Sequence, residues 1–360
     1  MLKKIIVLIL MLVLNNTATY GYEEIENFTE RAIVVEVSNE NEKIYDNFIT
    51  VQNVRLKILS GKYKGQYFDV KNNLTGNPAY DIEVDEGDKV IIGVNEKKDG
   101  SLDIYITEYT RDTYIYYLII LFSALLIIIG KYKGLKTIVT LIITIISIYK
   151  ILLPLMLKGY NPIFITIITS FVIVITTITI ITGLSKKSAS AILGTLLGVI
   201  IAGTIAYLVG TKIKLTGLSS EEISMLAYVG VEFDFRGLLF SGILLGALGA
   251  TMDVSMSIAS SIEEIHNVNQ RLKKRELFLC GMNVGKDIMG TMSNTLILAY
   301  TGSSIPLLIL FMAYDTPFIK ILNLDIVATE IVRALSGSIG LILAAPITAL
   351  ASALLAKKSK

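Results

Sequence analysis

One acidic side chain, Asp253, lies inside an apolar segment of membrane-spanning length, residues 237–259. Asp253, Ser257, Ser260 and Glu264 are separated by four, three and four positions, so a helix carries all of them on one face. A carboxylate inside a bilayer is costly and usually faces a bundle interior or a water-filled cavity. At about 1.5 Å per residue, Asp253 lies roughly 24 Å into this segment, close to its cytoplasmic end. The stripe predicts either a polar cavity or an interfacial acid on a helix that continues into the cytoplasm.

A second set of polar residues begins the next apolar segment, residues 288–312. Lys286 and Asp287 directly precede this segment, and Asn294 lies about two turns inside it. Since opposite charges within a membrane normally pair, Lys286 is positioned to neutralise Asp253 or Glu264. The two segments together predict a polar pathway for a small solute or ion.

The last apolar segment, residues 332–356, follows a charge pair. Glu330 and Arg333 are three positions apart, so they share one helical face, and the topology given below places them on the outer side. Pro346 interrupts the middle of the segment, after several glycines. Such an interrupted helix is typical of a transport pathway, and equally of a kinked packing helix.

The same residue types argue against catalytic and metal chemistry. His266 is the single histidine and Cys280 the single cysteine, so zinc clusters, most histidine triads and an intrachain disulfide are excluded. An aspartyl dyad needs two facing acids, whereas the apolar segments contain only Asp253 at depth. Residues 281–286 lack the spacing of a phosphate loop, and no strand precedes them. The sequence therefore predicts a protein that is not an enzyme and has no cofactor or metal site.

Seven apolar segments, each near the length of a membrane span, must position these residues. Hydrophobic residues make up 53% of the chain and the mean hydropathy is +0.63, which is more than a soluble domain of this size usually buries. The expected fold class is a polytopic α-helical membrane protein with about seven transmembrane helices in residues 113–360. The spans are 114–130, 137–157, 162–183, 188–210, 237–259, 288–312 and 332–356.

Loop charges indicate the orientation of these spans. With residues 22–112 outside, the inner loops and the C-terminus contain 13 lysine and arginine residues. The outer loops between spans contain 6, counting Arg333 just inside the last span, and this difference follows the positive-inside rule. Residues 1–21 have the charged, apolar and small-residue pattern of a signal peptide, and this gives the same topology independently. The C-terminus is then expected in the cytoplasm.

Small residues within the spans predict close helix packing. Gly194 and Gly198 form one GxxxG step, and Gly242 and Gly246 form another. Such steps allow two helix backbones to approach closely in a membrane. We therefore expect these four glycines to be packing positions.

Residues 22–112 predict an extracytoplasmic β-domain. Five short runs of β-branched and aromatic residues are separated by turn sequences such as Ser60-Gly61 and Asp99-Gly100. Five strands in this length are typical of a small β-barrel of the OB-like kind. The domain carries 19 acidic and 11 basic side chains, a charge that disfavours nucleic-acid binding. Its expected role is that of a scaffold or lid over the membrane part.

Three stretches of the membrane part carry a family resemblance: GALGATMDVSMSIASSIEEI, GKDIMGTMSNTLILAYTGSSIPLL and EIVRALSGSIGLILAAPITA. They resemble the YibE/F family of bacterial membrane proteins. The order of signal, outer domain and multispan region is similar to this family along nearly the whole chain. The resemblance implies a multi-pass protein of the bacterial plasma membrane and singles out these stretches as functional, but it implies no activity or substrate.

Two functions of different classes fit these features. The first is a secondary transporter or permease for a small solute or ion, with Asp253 as the coupling group and Asn294 as a polar ligand in the pathway. The alternative is a non-transporting membrane scaffold or sensor that uses the outer β-domain for recognition. Expected partners are the lipid bilayer and an unidentified solute or ion, and both a homo-oligomer and a paralogous membrane partner remain open.

Overall fold

The structure is a computed structural model that describes residues 27–44, 47–96, 101–226, 228 and 234–356. The described chain divides into two compact units, one ending at Leu125 and the other beginning at Leu126. The predicted signal peptide, residues 1–21, lies outside the described residues.

A five-stranded antiparallel sheet forms most of the N-terminal unit. Along the second strand Val54, Leu56 and Ile58 are buried and Arg55 is exposed, because successive side chains point to opposite sides of a strand. The strands are β1 (Asn27–Ile44), β2 (Asn47–Ile58), β3 (Tyr67–Leu74), β4 (Lys89–Glu96) and β5 (Leu102–Tyr109).

The sheet is a curled half-barrel with the strand order β3-β2-β1-β4-β5. β3 and β5 stand at opposite ends of this order and yet contact each other, so the sheet curls around its apolar core. A register shift between Val34 and Glu36 marks a bulge in the central strand, and bulges bend a strand. The five predicted strands are confirmed. They form a curled half-barrel, because the hydrogen-bonded order of the described strands ends at β3 and β5.

The C-terminal part is helical. A π-helical segment, Ile148–Leu152, joins the first two α-helices. The α-helices are α1 (Asp112–Ser147), α2 (Leu153–Leu157), α3 (Pro162–Thr182), α4 (Lys186–Lys212), α5 (Glu221–Leu226), α6 (Phe235–Val268), α7 (Lys274–Ser303), α8 (Ile305–Ala313), α9 (Phe318–Leu322) and α10 (Asp325–Leu355).

Five of the described helical stretches are long and apolar enough to cross a membrane. They are Asp112–Leu157, α3, α4, α6 and α10. α7 and α8 reach this length and hydropathy only together, and the chain bends by 55° between them. The pair makes a sixth span if it is one broken helix.

The stretch Asp112–Leu157 contains both of the first two predicted spans. At Lys131 the backbone leaves the helix with φ 49° and ψ −127°, a conformation that residues other than glycine rarely adopt. A Cβ added at Gly134 would lie 1.8 Å from the carbonyl oxygen of Leu126, whereas eight residues of straight helix would separate these positions by about 12 Å. The chain therefore folds back on itself at this break.

α4, α6 and α10 pack against one another as the core of the C-terminal unit. A Cβ added at Gly198 would lie 2.9 Å from the carbonyl oxygen of Gly340, and one at Gly340 would lie 2.6 Å from that of Gly198. One added at Gly194 would lie 1.7 Å from Oγ1 of Thr348, which donates a hydrogen bond to Oγ of Ser255 at 3.1 Å. Small residues thus allow the backbones of α4 and α10 to touch.

The other sides of α3, α4 and α10 expose large apolar side chains. Continuous apolar stripes of this kind are rare on soluble monomers, and they match the hydrocarbon of a bilayer. The exposed residues are Phe164, Ile168, Phe171 and Ile175 on α3, Leu193, Leu197 and Ile200 on α4, and Ile331, Leu335, Ile339, Ile342, Leu343 and Leu350 on α10.

Candidate functional site

α6 carries the acidic stripe that the sequence singles out. The helix begins where Oδ1 of Asp234 accepts a hydrogen bond from the backbone N–H of Gly237 at 2.8 Å, the usual way in which a side chain caps a helix N-terminus. One side of the helix is buried against its neighbours, with Thr251, Val254 and Ile258 fully enclosed. The opposite side carries the candidate residues.

The exposed residues of α6 between positions 242 and 264 are all glycine, serine or acid. This set differs from the exposed sides of α3, α4 and α10, which carry leucine, isoleucine and phenylalanine. Ser260, predicted for the same stripe, is half-buried beside it. We call the set the α6 polar face: Gly242, Gly246, Gly249, Asp253, Ser257 and Glu264.

α7 has a matching exposed side. The helix is anchored through Gly281 and Gly285, where added Cβ atoms would lie 2.4 Å from Cδ1 of Ile262 and 3.2 Å from Cδ1 of Ile258. The exposed residues between positions 283 and 295 are again polar or glycine. We call this set the α7 polar face: Asn283, Lys286, Asp287, Gly290, Thr291, Asn294 and Thr295.

The two glycine contacts define how α6 and α7 lie side by side. Gly281 meets Ile262 and Gly285 meets Ile258, so the helices run antiparallel with a constant register. The same register places Asp253 level with position 290. Lys286 and Asn294 are each four residues from that level, about 6 Å to either side. The structure therefore groups Asp253, Lys286 and Asn294 at neighbouring depths on adjacent helices.

The charged side chains of the two polar faces have no partner within the described chain. Asp253, Glu264, Lys286 and Asp287 take part in no described ion pair or side-chain hydrogen bond. The predicted neutralisation of Asp253 or Glu264 by Lys286 is not formed inside the described monomer. The side chain of Asn294 likewise has no described hydrogen-bond partner.

A charged cluster lies where α6, α7 and α10 meet at the far end of the polar faces. Nη1 of Arg333 donates to Oε1 of Glu330 at 2.7 Å. The Arg333 guanidinium also lies 6.0 Å from the ring centre of Tyr300, within reach of a cation–π contact. A Cβ added at Gly246 would lie 2.5 Å from the Tyr300 hydroxyl. Tyr300 joins the site through tertiary contacts, and its sequence context resembles that of any aromatic residue in a membrane helix.

Glu263, the acid next to Glu264, forms an ion pair that the sequence did not indicate. Nζ of Lys187 at the start of α4 lies 2.5 Å from Oε2 of Glu263 near the end of α6. The pair borders a cavity of about 170 Å³ that His266 and Ser352 also line. Glu263 and Glu264 are adjacent in sequence, so a helix turns them about 100° apart and only one of them reaches α4.

The described residues contain no cluster suited to a metal ion. In that part of the chain no three histidine, cysteine, aspartate or glutamate side chains come together closely enough for one. Cys280 is a free, half-buried thiol. The chemistry available at the polar faces is therefore that of carboxylate, amide, hydroxyl and ammonium groups.

Comparison with known families covers almost the whole chain. Residues 118–358 match the family described as YibE/F-like protein, and residues 26–109 match the YibE/F family N-terminal domain. No curated protein and no solved structure matches the chain. The chain therefore belongs to the YibE/F family, as the resemblance in its membrane part predicts.

Proposed function

We propose that this member of the YibE/F family is a secondary transporter or permease for a small solute or ion, with its pathway along the α6 and α7 polar faces. One observation carries the proposal. α3, α4 and α10 expose large apolar residues, whereas α6 and α7 expose glycine, hydroxyl, amide and charged side chains over several turns. Hydrocarbon does not solvate such groups, so they fit a water-containing path.

The proposal includes a seven-span topology in the bacterial plasma membrane with the β-domain outside. The break at Lys131 supports a division of Asp112–Leu157 into two antiparallel spans, because 46 residues of helix would be roughly 69 Å long. The bent pair α7–α8 supplies another span. The excess of lysine and arginine in the proposed inner loops supports a cytoplasmic C-terminus.

The residues have distinct roles in this proposal. Asp253 is the coupling group, since it is an unpaired carboxylate level with the middle of the α7 polar face. Asn294 offers an amide to the passing solute one turn further along. Glu330, Arg333 and Tyr300 form the outer end of the path, where Arg333 is neutralised by Glu330 and lies over the ring of Tyr300.

Ion flux in reconstituted liposomes tests the role of Asp253. Proton flux under an imposed membrane potential is read with a trapped pH dye. Asp253→Asn should lower the flux roughly tenfold or more, since an amide cannot exchange a proton or hold a cation by charge. The matched control is Asp325→Asn, which keeps the oxygen that accepts from Thr216 and should retain the flux. Equal flux from Asp253→Asn and the unmodified protein would remove Asp253 from the mechanism.

Thiol labelling tests whether water reaches the polar face. Cys280→Ala gives a cysteine-free chain, into which Ser257→Cys or Leu350→Cys is introduced. The contact between Ser255 and Thr348 places these two positions at the same depth, but Leu350 lies on the apolar side of α10. A water-soluble maleimide needs a thiolate in water, so Ser257→Cys should label and Leu350→Cys should not. Equal labelling at both positions would contradict a specific water path.

A scaffold or sensor function remains the second candidate, and one feature of the β-domain favours it. A surface cavity of about 440 Å³ lies on the sheet between Glu36, Arg55, Asp69 and Lys71. Arg55 pairs with Asp69 at 3.3 Å and with Glu36 at 3.8 Å. Mixed charges around a cavity are suited to recognition of a polar ligand.

A further inference from the structure

Asp253 on the α6 polar face needs a cover that the described part of the chain does not supply. Asp253 lies inside the proposed span 237–259, whereas Lys286 and Asp287 directly precede the proposed span 288–312 and lie at the cytoplasmic edge of the hydrocarbon layer. Each is exposed and has no described partner. A carboxylate inside the layer, such as that of Asp253, normally pairs with a cation or faces water enclosed by protein. An open face of this kind is incomplete in a bilayer.

We propose that a second copy of this chain covers the face, with a two-fold axis along the membrane normal and with Lys286 of each copy paired to Asp253 of the other. The proposal goes beyond transport, because a scaffold with the same face would need the same cover. For a transporter, it makes the pathway a closed cavity between two copies.

The depth of each charged residue in the membrane decides which charges of the two copies can pair. A two-fold axis along the membrane normal keeps every residue at one depth in both copies, so only residues at similar depths can meet. The α6–α7 register puts Lys286 within about one turn of the level of Asp253, a gap that the long lysine side chain spans. Glu264 lies seven residues, about two turns, from the level of Lys286 and is too far away along the axis. Each copy thus offers one cation and one anion at matching depths, and two such faces are complementary.

Glycines on the polar faces allow the copies to approach. Within the described residues, no atom lies within 4 Å of a Cβ added at Gly242, Gly249 or Gly290. These positions therefore do not serve packing inside the monomer, although Gly194, Gly198 and Gly340 do. Exposed glycines at helical spacing are typical of close helix–helix contact between membrane chains.

Cross-linking in native membranes tests the contact. In the Cys280→Ala background, Gly249→Cys should give a covalent dimer with a short bismaleimide. The control is Ile342→Cys, which lies near the same depth on the apolar side of α10 and should remain monomeric. A covalent dimer from both variants, or from neither Gly249→Cys nor Ser257→Cys, would overturn the proposal.

A charge exchange tests the pair itself, with two affinity tags on co-expressed copies. Asp253→Lys alone and Lys286→Asp alone should each lower co-purification of like copies on the order of tenfold, because like charges then meet. One copy with Asp253→Lys and one with Lys286→Asp should co-purify again, since both pairs are restored with exchanged signs. Retained association in both single variants, or no recovery in the mixed pair, would refute it.

Two controls separate this proposal from folding and from transport. Each variant must elute as a single species from size exclusion, and recovery in the mixed pair itself shows that both chains fold. Flux with Asp253→Asn is measured independently. A protein that forms dimers but shows no flux would support the contact between copies and refute the transporter. A protein that shows flux but forms no dimers would support the transporter and refute the contact.

Discussion

Two glycine pairs with the same spacing lie in different surroundings. Gly194 and Gly198 lie where α4 touches α10, but nothing in the described chain lies within 4 Å of a Cβ added at Gly242, and Gly246 meets only Tyr300. Sequence spacing reports which residues share a helix face. It does not report which neighbour covers that face, because the partner comes from a distant part of the chain.

The contact between α4 and α10 makes a prediction at a single residue. Gly340→Ala should destabilise the protein by about 1–3 kcal/mol, since its Cβ would overlap with Ala202 and the backbone of Gly198. The control is Gly337→Ala on the same helix, where the nearest atom is 3.7 Å away. Because Gly337→Ala introduces no clash, it should leave the free energy of unfolding unchanged or slightly raised. Thermal unfolding in detergent compares the two, and equal midpoints would contradict this packing.

The first membrane element shows how a break of the helix at one residue changes the predicted membrane topology. Lys131 leaves the helical conformation and Gly134 lies against Leu126, so α1 has two arms. Hydropathy identifies both apolar arms, because each is near the length of a span. The position of the break depends on the local backbone and on the absence of a side chain at Gly134.

Labelling from either side of the membrane tests this hairpin. In the Cys280→Ala background, Lys158→Cys should react with an impermeant maleimide from outside. Lys133→Cys should react only after the inner side is opened, because it lies in the turn between the arms. A single long span would instead place the two ends of Asp112–Leu157 on opposite sides. Reaction of Lys158→Cys solely from the inside would therefore refute the seven-span topology.

The whole molecule consists of two compact units with different chemistry. The N-terminal unit is an acidic curled sheet, and the C-terminal unit is a small-residue helix core with one polar side. A transporter keeps its essential groups in the helical unit, whereas a scaffold or sensor keeps them in the sheet. The two candidate functions thus assign the essential residues to different units.

Removal of the β-domain discriminates between these functions. The transporter predicts that a chain without residues 22–112 keeps much of its proton flux, while Asp253→Asn in the full chain loses it. The scaffold or sensor predicts the opposite ranking in a growth or binding assay of the intact protein. Membrane insertion of the shortened chain is checked by its yield and its size-exclusion profile. Loss of flux after domain removal alone would favour the second candidate.

The sequence by itself determined the five strands, the apolar helices and the stripe that contains Asp253, Ser257 and Glu264, because these follow from local periodicity and composition. Only the tertiary structure decided that the sheet curls into a half-barrel, that Glu263 rather than Glu264 pairs with Lys187, and that Tyr300 lies beside Arg333. It also showed that the acidic stripe and the polar residues of α7 occupy sides that no other described segment covers. Such facts depend on which distant segments pack together, and a linear pattern does not contain that information.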